Sequence, residues 1–396
     1  MTSWCSSTPR VTPTTSPPAR SARFLLAGAL FGGTGTGCAI KEAAGWRIVP
    51  QAEAADAAET LVRAVVTTPL RRCSTIAGHF TIELEPPYKG APVLVLTPGY
   101  ASGSALWAPC LDGLAAHYHV FAVDWLGTGA SEKPKWSAVS VADGEAFFID
   151  GLRAWAKAAL LPPKFTLAGH SLGGYLSAAY TLSHPEQIDH LILIGSAGIP
   201  EHPDSRLAQW RESSWVVSVI GKAWEGGVTP GSLFRTLGPW GASFIKNAVA
   251  LRFGGGAKQQ TQTSPSANTG SPNSTNSAIP LALLAPYIHA IMGGQASGEH
   301  ALSVLLSFGA HAKEPVGPRL LTASKKAGPP LPPVTLIYGK NDWMDGHAGM
   351  SLANNLRAQR NDAVCVIIPS AGHYVFLENP STFVEVMHGR AGVVKS

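Results

Sequence analysis

The sequence predicts an α/β protein: a doubly wound, mostly parallel sheet of eight strands, with a helical segment inserted late in the chain. Three observations carry this. From Gly78 onward, strand-like and helix-like stretches alternate. Most of the strands are near-continuous apolar runs, as expected where helices cover both faces of a parallel sheet. The pentapeptide Gly169-His170-Ser171-Leu172-Gly173 stands where one such strand meets a helix rich in small residues.

The elements follow in order. Residues 80–84 (FTIEL) alternate with period two and suit an edge strand. Residues 92–97 and 119–125 are apolar runs, and residues 164–168 form a short buried strand before the serine. Residues 191–194, 333–338 and 363–368 supply the later strands. Regularity stops between about residues 198 and 330. This interval holds Trp210, Trp215, Trp224 and Trp240 and a low-complexity tract at 254–277, whose Gly, Gln, Ser, Thr, Asn and Pro bury too little surface to fold. The domain reading is a targeting or disordered segment at 1–45, one core in two parts at 46–197 and 331–396, and a lid at 198–330 with a disordered loop at 254–277. The default role of the lid tryptophans is core packing; the alternative is contact with a membrane interface or an acyl chain.

A strand that turns sharply into a helix at a serine is a nucleophile elbow, the signature of the α/β-hydrolase fold. The turn strains the serine backbone and lifts its Oγ above the sheet edge. Small residues two positions either side let strand and helix approach. Alone, G-x-S-x-G says little in a chain with 42 glycines. Flanked by these elements it specifies the fold.

A serine hydroxyl is a weak nucleophile at neutral pH and needs a base oriented by a carboxylate. In this fold the chain order is Ser, acid, His, with acid and base on loops after late strands. Asp342 follows the strand at 333–338, and His373 follows the strand at 363–368. Asp345 is the alternative acid; the plain role of either carboxylate is to cap the next helix. The oxyanion donors are assigned to the amides of Leu172, after the nucleophile, and Tyr100, in the Pro98-Gly99-Tyr100 loop. His170 and Asp124 read as structural. A serine nucleophile argues against epoxide hydrolase or dehalogenase chemistry, which this scaffold also hosts.

Bulk properties exclude other classes. Of 396 residues, 45% are apolar and 14% charged, enough for one large domain with an insertion. The net charge of +5 includes Arg10, Arg20, Arg23 and Lys41, which lie before the first acid; setting them aside leaves 26 basic against 25 acidic residues. No nucleic-acid surface follows from that balance. Cys5, Cys38, Cys73, Cys110 and Cys365 lack zinc spacing and read as free thiols. No metal or organic cofactor is implied. Residues 1–45, rich in Ser, Thr and Pro with arginines, have the composition of an organellar transit peptide; a secretory signal or a disordered tail are the alternatives. No stretch reads as a transmembrane helix, so membrane contact is expected to be peripheral.

Residues 169–203 (GHSLGGYLSAAYTLSHPEQIDHLILIGSAGIPEHP), Gly238-Pro239-Trp240-Gly241, Ser297-Gly298-Glu299 and Gly372-His373-Tyr374-Val375 resemble one subfamily throughout. It comprises animal abhydrolase-domain proteins four and five, fungal mitochondrial cardiolipin deacylases and plant lipid acyl hydrolases. The resemblance covers roughly residues 52–390 and implies phospholipid or lysophospholipid substrates, with Ser171, Asp342 and His373 as triad. Many proteins of this fold carry His-Gly where this chain has Pro98-Gly99. Some subfamily members are inactive lipase co-activators with Asn at the nucleophile position; Ser171 favours an enzyme. Others are credited with acyl-CoA-dependent lysophosphatidic acid acyltransfer through an H-x-x-x-x-D motif starting at the triad His, where this chain has Glu378. The implied setting is a membrane or lipid-droplet surface, in the mitochondrion first, with plastid or cytosol as alternatives.

Overall fold

Leu70–Ile76 forms a strand (β1) that the sequence pattern does not single out. Its polar residues (LRRCSTI) mark an exposed sheet edge, where Arg71 and Arg72 pair with Glu83 at 3.5 and 3.2 Å. β2 (His79–Leu84) is therefore not the edge strand expected for residues 80–84. It lies one place in, antiparallel to β1 and to β4 (His119–Val123), and all six residues are buried. The alternation misleads because its polar positions are satisfied internally. Trp155 Nε1 donates to the Thr81 hydroxyl at 2.9 Å, and His119 Nε2 donates to Glu83 at 3.0 Å.

The structure, a computed structural model, describes residues 47–202, 221–253, 278–326 and 329–389. The segment expected at 1–45, the loop expected at 254–277, and Cys5, Cys38, Trp210 and Trp215 lie outside these.

β3 (Val93–Thr97), β5 (Phe165–His170), β6 (Ile188–Ile194), β9 (Val334–Gly339) and β10 (Ala363–Ile368) complete an eight-stranded sheet. Its order is β1-β2-β4-β3-β5-β6-β9-β10, parallel from β4 to β10. A separate ribbon pairs β7 (Leu306–Ser307) with β8 (His311–Ala312). From β3 the chain moves to β4 on one side and then to β5 on the other. That reversal opens a crevice above the carboxyl ends of β3 and β5, where ligands bind in open α/β sheets.

Two apolar clusters cover the two sheet faces. One holds α1 (Gln51–Val65), α2 (Ala108–Ala115), and later α11 (Val375–Glu378) and α12 (Pro380–Met387). The other holds α3 (Val141–Ala158), α4 (Leu172–Ser183) and α10 (Gly346–Ala358). The interval between β6 and β9 contributes to both. Its α6 (Pro239–Phe253), after α5 (Pro230–Thr236), and α7 (Leu281–Met292) pack in the first cluster; α8 (Ala301–Leu305) and α9 (Val316–Ala323) pack in the second. The two tryptophans described between β6 and β9 divide: Trp224 is half-buried and donates to the Leu306 carbonyl at 2.9 Å, whereas Trp240 is 77% exposed. Cys73, Cys110 and Cys365 are free thiols, and burial pushes Cys73 and Cys365 up to about 12. Among the described residues no helix is long and apolar enough to cross a membrane.

β2 buries an imidazole at a cost that pH exposes. His79 Nδ1 donates to the Ala77 carbonyl at 3.0 Å while Nε2 has no partner, and burial pulls the ring from 6.5 down to about 4. Between these values the unfolded chain takes up a proton that the folded chain refuses, so stability falls as pH drops through that window. Thermal melting should show the midpoint declining from neutral pH to the acid side, with a shallower decline in His79→Phe.

Candidate active site

Ser171 links β5 to α4 with φ 55° and ψ −119°, a region that non-glycine residues rarely enter. Its neighbours hold it there. The Ser171 amide donates to the Ile194 carbonyl at 2.9 Å, and its carbonyl accepts from Ala197 at 3.1 Å. Gly169 faces the Gly173 backbone, and Gly173 faces the Pro98 carbonyl, each too closely for a Cβ. These glycines let strand, helix and the loop after β3 converge on one point.

The parallel register of β9 and β10 sets Gly339 opposite Ile368, so the next two loops leave the sheet side by side. They are stitched together where Lys340 and Asn341 donate to Ile368 and Ala371 carbonyls at 2.8 and 2.9 Å. Asp342 and His373 are thereby brought into contact, and His373 Nδ1 donates to Asp342 Oδ1 at 2.8 Å. The same oxygen accepts from the Met344 amide at 2.9 Å. Both side chains are almost fully buried. Asp345 is not at the imidazole: it caps α10, accepting from the Ala348 amide at 3.0 Å. Among the described residues Ser171 makes no hydrogen bond to His373, a contact that in unliganded enzymes often tightens only with substrate.

His170 is buried beneath this pair, its ring centroid 4.6 Å from that of His373. Burial, with the neighbouring His373, drives it well below its ordinary value, so the ring is neutral and Nε2 donates to the His373 carbonyl at 3.0 Å. Asp124 ties loops together: Ser104 and Ala130 amides donate to its two oxygens. Both residues act as supports, as their sequence positions suggested.

A Cβ on Gly99 would stand 2.9 Å from the Ser171 Cβ, so the loop after β3 passes directly over the serine. The next two residues are Tyr100 and Ala101, the latter strained at φ 53°. Tyr100, Gly99 and Leu172 line one small cavity of about 50 Å³. Neither the Tyr100 nor the Leu172 amide has an acceptor among the described residues. The Tyr100 hydroxyl reaches up to α5, where it accepts from the Gly231 amide at 3.2 Å; burial, and then the Glu299 carboxylate, keep the phenol protonated.

An apolar cavity of about 250 Å³ lies beneath α5, α6 and α7, lined by Phe234, Ile245, Val249 and Ile288, and bordered by Tyr100 and Tyr374. Arg252 of α6 ties this roof to the His373 loop. It pairs with Glu378 at 3.0 Å, and the other Glu378 oxygen accepts from the Gly372 amide.

A family model described as alpha/beta hydrolase fold matches residues 92–215. Over 300 residues the chain is 36% identical to a 1-acylglycerol-3-phosphate O-acyltransferase of Arabidopsis thaliana, covering 74% of this chain and 65% of that one. The chain thus spans just under two thirds of that relative's length. It is 27% identical over 313 residues to a (Lyso)-N-acylphosphatidylethanolamine lipase of Mus musculus, covering 78% and 81%. Among solved structures, a membrane phospholipase A matches with TM-score 0.54 at 19% identity, over 86% of this chain and 91% of that one. The chain has the α/β-hydrolase fold. Its matched region is similar to members of the abhydrolase four/five-like subfamily.

Sequence reasoning missed several neighbours of the hydrolase site. Trp343, 61% exposed, places its ring 4.9 Å from that of His373, and nothing in its local pattern marks it. Glu378 was visible only as an altered motif residue, and nothing in its local pattern marks Arg252. Gly195 was unmarked too. A Cβ there would stand 2.8 Å from Asp342 Oδ2 and 3.0 Å from His373 Nδ1, at φ 50°. Gly195→Ala should therefore part the two side chains and destabilise the fold by about 1–2 kcal/mol. The proton NMR readout is loss or upfield movement of the hydrogen-bonded His373 Nδ1–H resonance, which an unchanged spectrum would contradict.

Proposed function

We propose that this hydrolase cleaves acyl esters of phospholipids or lysophospholipids through an acyl-enzyme on Ser171. The observation that carries the reading is the 2.8 Å bond from His373 to Asp342 beside a serine held at φ 55°. Ser171 Oγ attacks the acyl carbonyl while His373 Nε2 takes its proton, and Asp342 holds Nδ1 so that the imidazole keeps the correct tautomer. The oxyanion is received by the amides of Tyr100 and Leu172, the second at the positive end of α4. His373 returns the proton to the departing alcohol, and water then releases the fatty acid. The apolar cavity beneath α5–α7, with Tyr374 between it and His373, suits the acyl chain. The names of the mouse lipase and the Arabidopsis acyltransferase support a lipid substrate.

The setting we propose is a phospholipid or lipid-droplet surface, reached from a region between β6 and β9 that serves as the lid. The composition of residues 1–45 supports an organellar address, the mitochondrion first and a plastid as the alternative. Glu378 favours hydrolysis over a dedicated acyltransferase: it braces the His373 loop and is buried against Arg252 instead of facing substrate. Acyl transfer remains a second outcome of the same acyl-enzyme, with another alcohol in place of water.

The test is incubation of purified protein with mixed phospholipids and lysophospholipids, with and without acyl-CoA. Fatty acid release should vanish in S171A, fall by about three to four orders of magnitude in D342N, and survive in D345A. A fluorophosphonate probe should label the wild type and not S171A. Full activity in S171A would refute the mechanism; phosphatidic acid formed only with acyl-CoA would favour the transferase, and an unlabelled, silent protein the co-activator. Glu378→Gln should lower hydrolysis and any acyl transfer in parallel. Loss of transfer alone would instead make Glu378 the acid of a transferase motif.

A further inference from the structure

We infer that the outward stripe of α5 and α6 is the face by which the hydrolase docks on a phospholipid bilayer. The inference rests on the phospholipid reading and adds the surface that delivers the substrate. Leu233, Leu237, Trp240, Phe244 and Leu251 are 48, 37, 77, 53 and 81% exposed. They are five of the eleven large apolar side chains exposed among the described residues, gathered into one short span of the chain. On α6, Trp240, Phe244 and Leu251 stand four and then seven residues apart, so they share one helical stripe. Ile245 and Val249 point the other way and are buried in the core. The helix is thus sided twice, with a packed inner face and an apolar outer one.

Charge selects a lipid surface for the outer face. Between residues 230 and 253 the chain has Arg235, Lys246 and Arg252 and no Asp or Glu. Arg235 and Arg252 turn inward to Glu299 and Glu378. Lys246 is exposed, but two residues after Phe244 and five before Leu251 it lies across α6 from the stripe. The stripe itself carries no charge, and a tryptophan with aliphatic residues on a helix free of acids matches the arrangement of helices that lie in the headgroup region. The inner sides of the same helices line the apolar cavity that ends at Tyr374, next to His373. Docking this stripe would set the cavity against the bilayer, so an acyl chain could enter without crossing water.

The experiment is co-sedimentation of the full chain with phosphatidylcholine vesicles, with and without phosphatidic acid. Wild type should bind both. W240S/L251S, whose residues lie outside the acyl cavity, should lose at least about tenfold in vesicle affinity. It should keep the wild-type melting temperature and hydrolysis of a soluble short-chain ester. Wild type that stays in the supernatant, or W240S/L251S that sediments as wild type does, would overturn the docking face. A dimer by light scattering that W240S/L251S dissolves would assign the stripe to a second copy instead. Binding and melting need no turnover, so vesicle binding without hydrolysis refutes the enzyme reading alone, and hydrolysis without stripe-dependent binding refutes the docking face alone.

Discussion

Ser171 sits at φ 55° and ψ −119°, and the rest of the site is organised around keeping it there. A non-glycine residue in such a region costs on the order of 1–3 kcal/mol and persists only where its surroundings over-determine it. Here the surroundings are specific. Ile194 and Ala197, at the end of the adjacent strand, bond the Ser171 amide and carbonyl. Gly169 and Gly173 remove the side chains that would hold strand and helix apart, and Gly99 brings the loop after β3 over the serine. The same constraint brings the start of α4 and the loop after β3 together at the serine.

The second organising feature is a buried polar chain running from the sheet to the helices between β6 and β9. Neutral His170 holds the His373 backbone, Asp342 holds its ring, and Glu378 holds the preceding amide. Arg252 then ties Glu378 to α6, while the Tyr100 hydroxyl ties the oxyanion loop to α5. Two contacts thus join the helices between β6 and β9 to the site, one at the His373 loop and one at the Tyr100 loop. Buried groups of this kind are expensive to leave unpaired, so these contacts fix the helices between β6 and β9 against both loops.

Legibility followed the range of the interactions. The elbow could be read because its demands are local: a serine between small residues, a strand before and a helix after. Asp342 and His373 could be read because each follows an apolar strand at once, although choosing Asp342 over Asp345 needed the contact itself. β1 escaped because an edge strand with two arginines carries no hydrophobic period. β2 was misplaced at the edge because Thr81 and Glu83 look solvent-facing until Trp155 and His119 are seen to satisfy them. Arg252 and Glu378 lie 126 residues apart, and no local pattern announces such a pair.

By itself the sequence determined the α/β class, the run of parallel strands and the residues able to supply nucleophile, base and acid, because periodicity and strand-end position are properties of neighbouring residues. Only the tertiary structure decided that Asp342 faces the imidazole while Asp345 caps a helix, that the buried His170 ring is neutral, and that Glu378 braces the His373 loop under Arg252. It also decided that the apolar residues of α6 divide between a buried cavity wall and an exposed stripe. Those outcomes depend on which loops the sheet order brings together and which surfaces it removes from water, and neither is encoded in spacing along the chain.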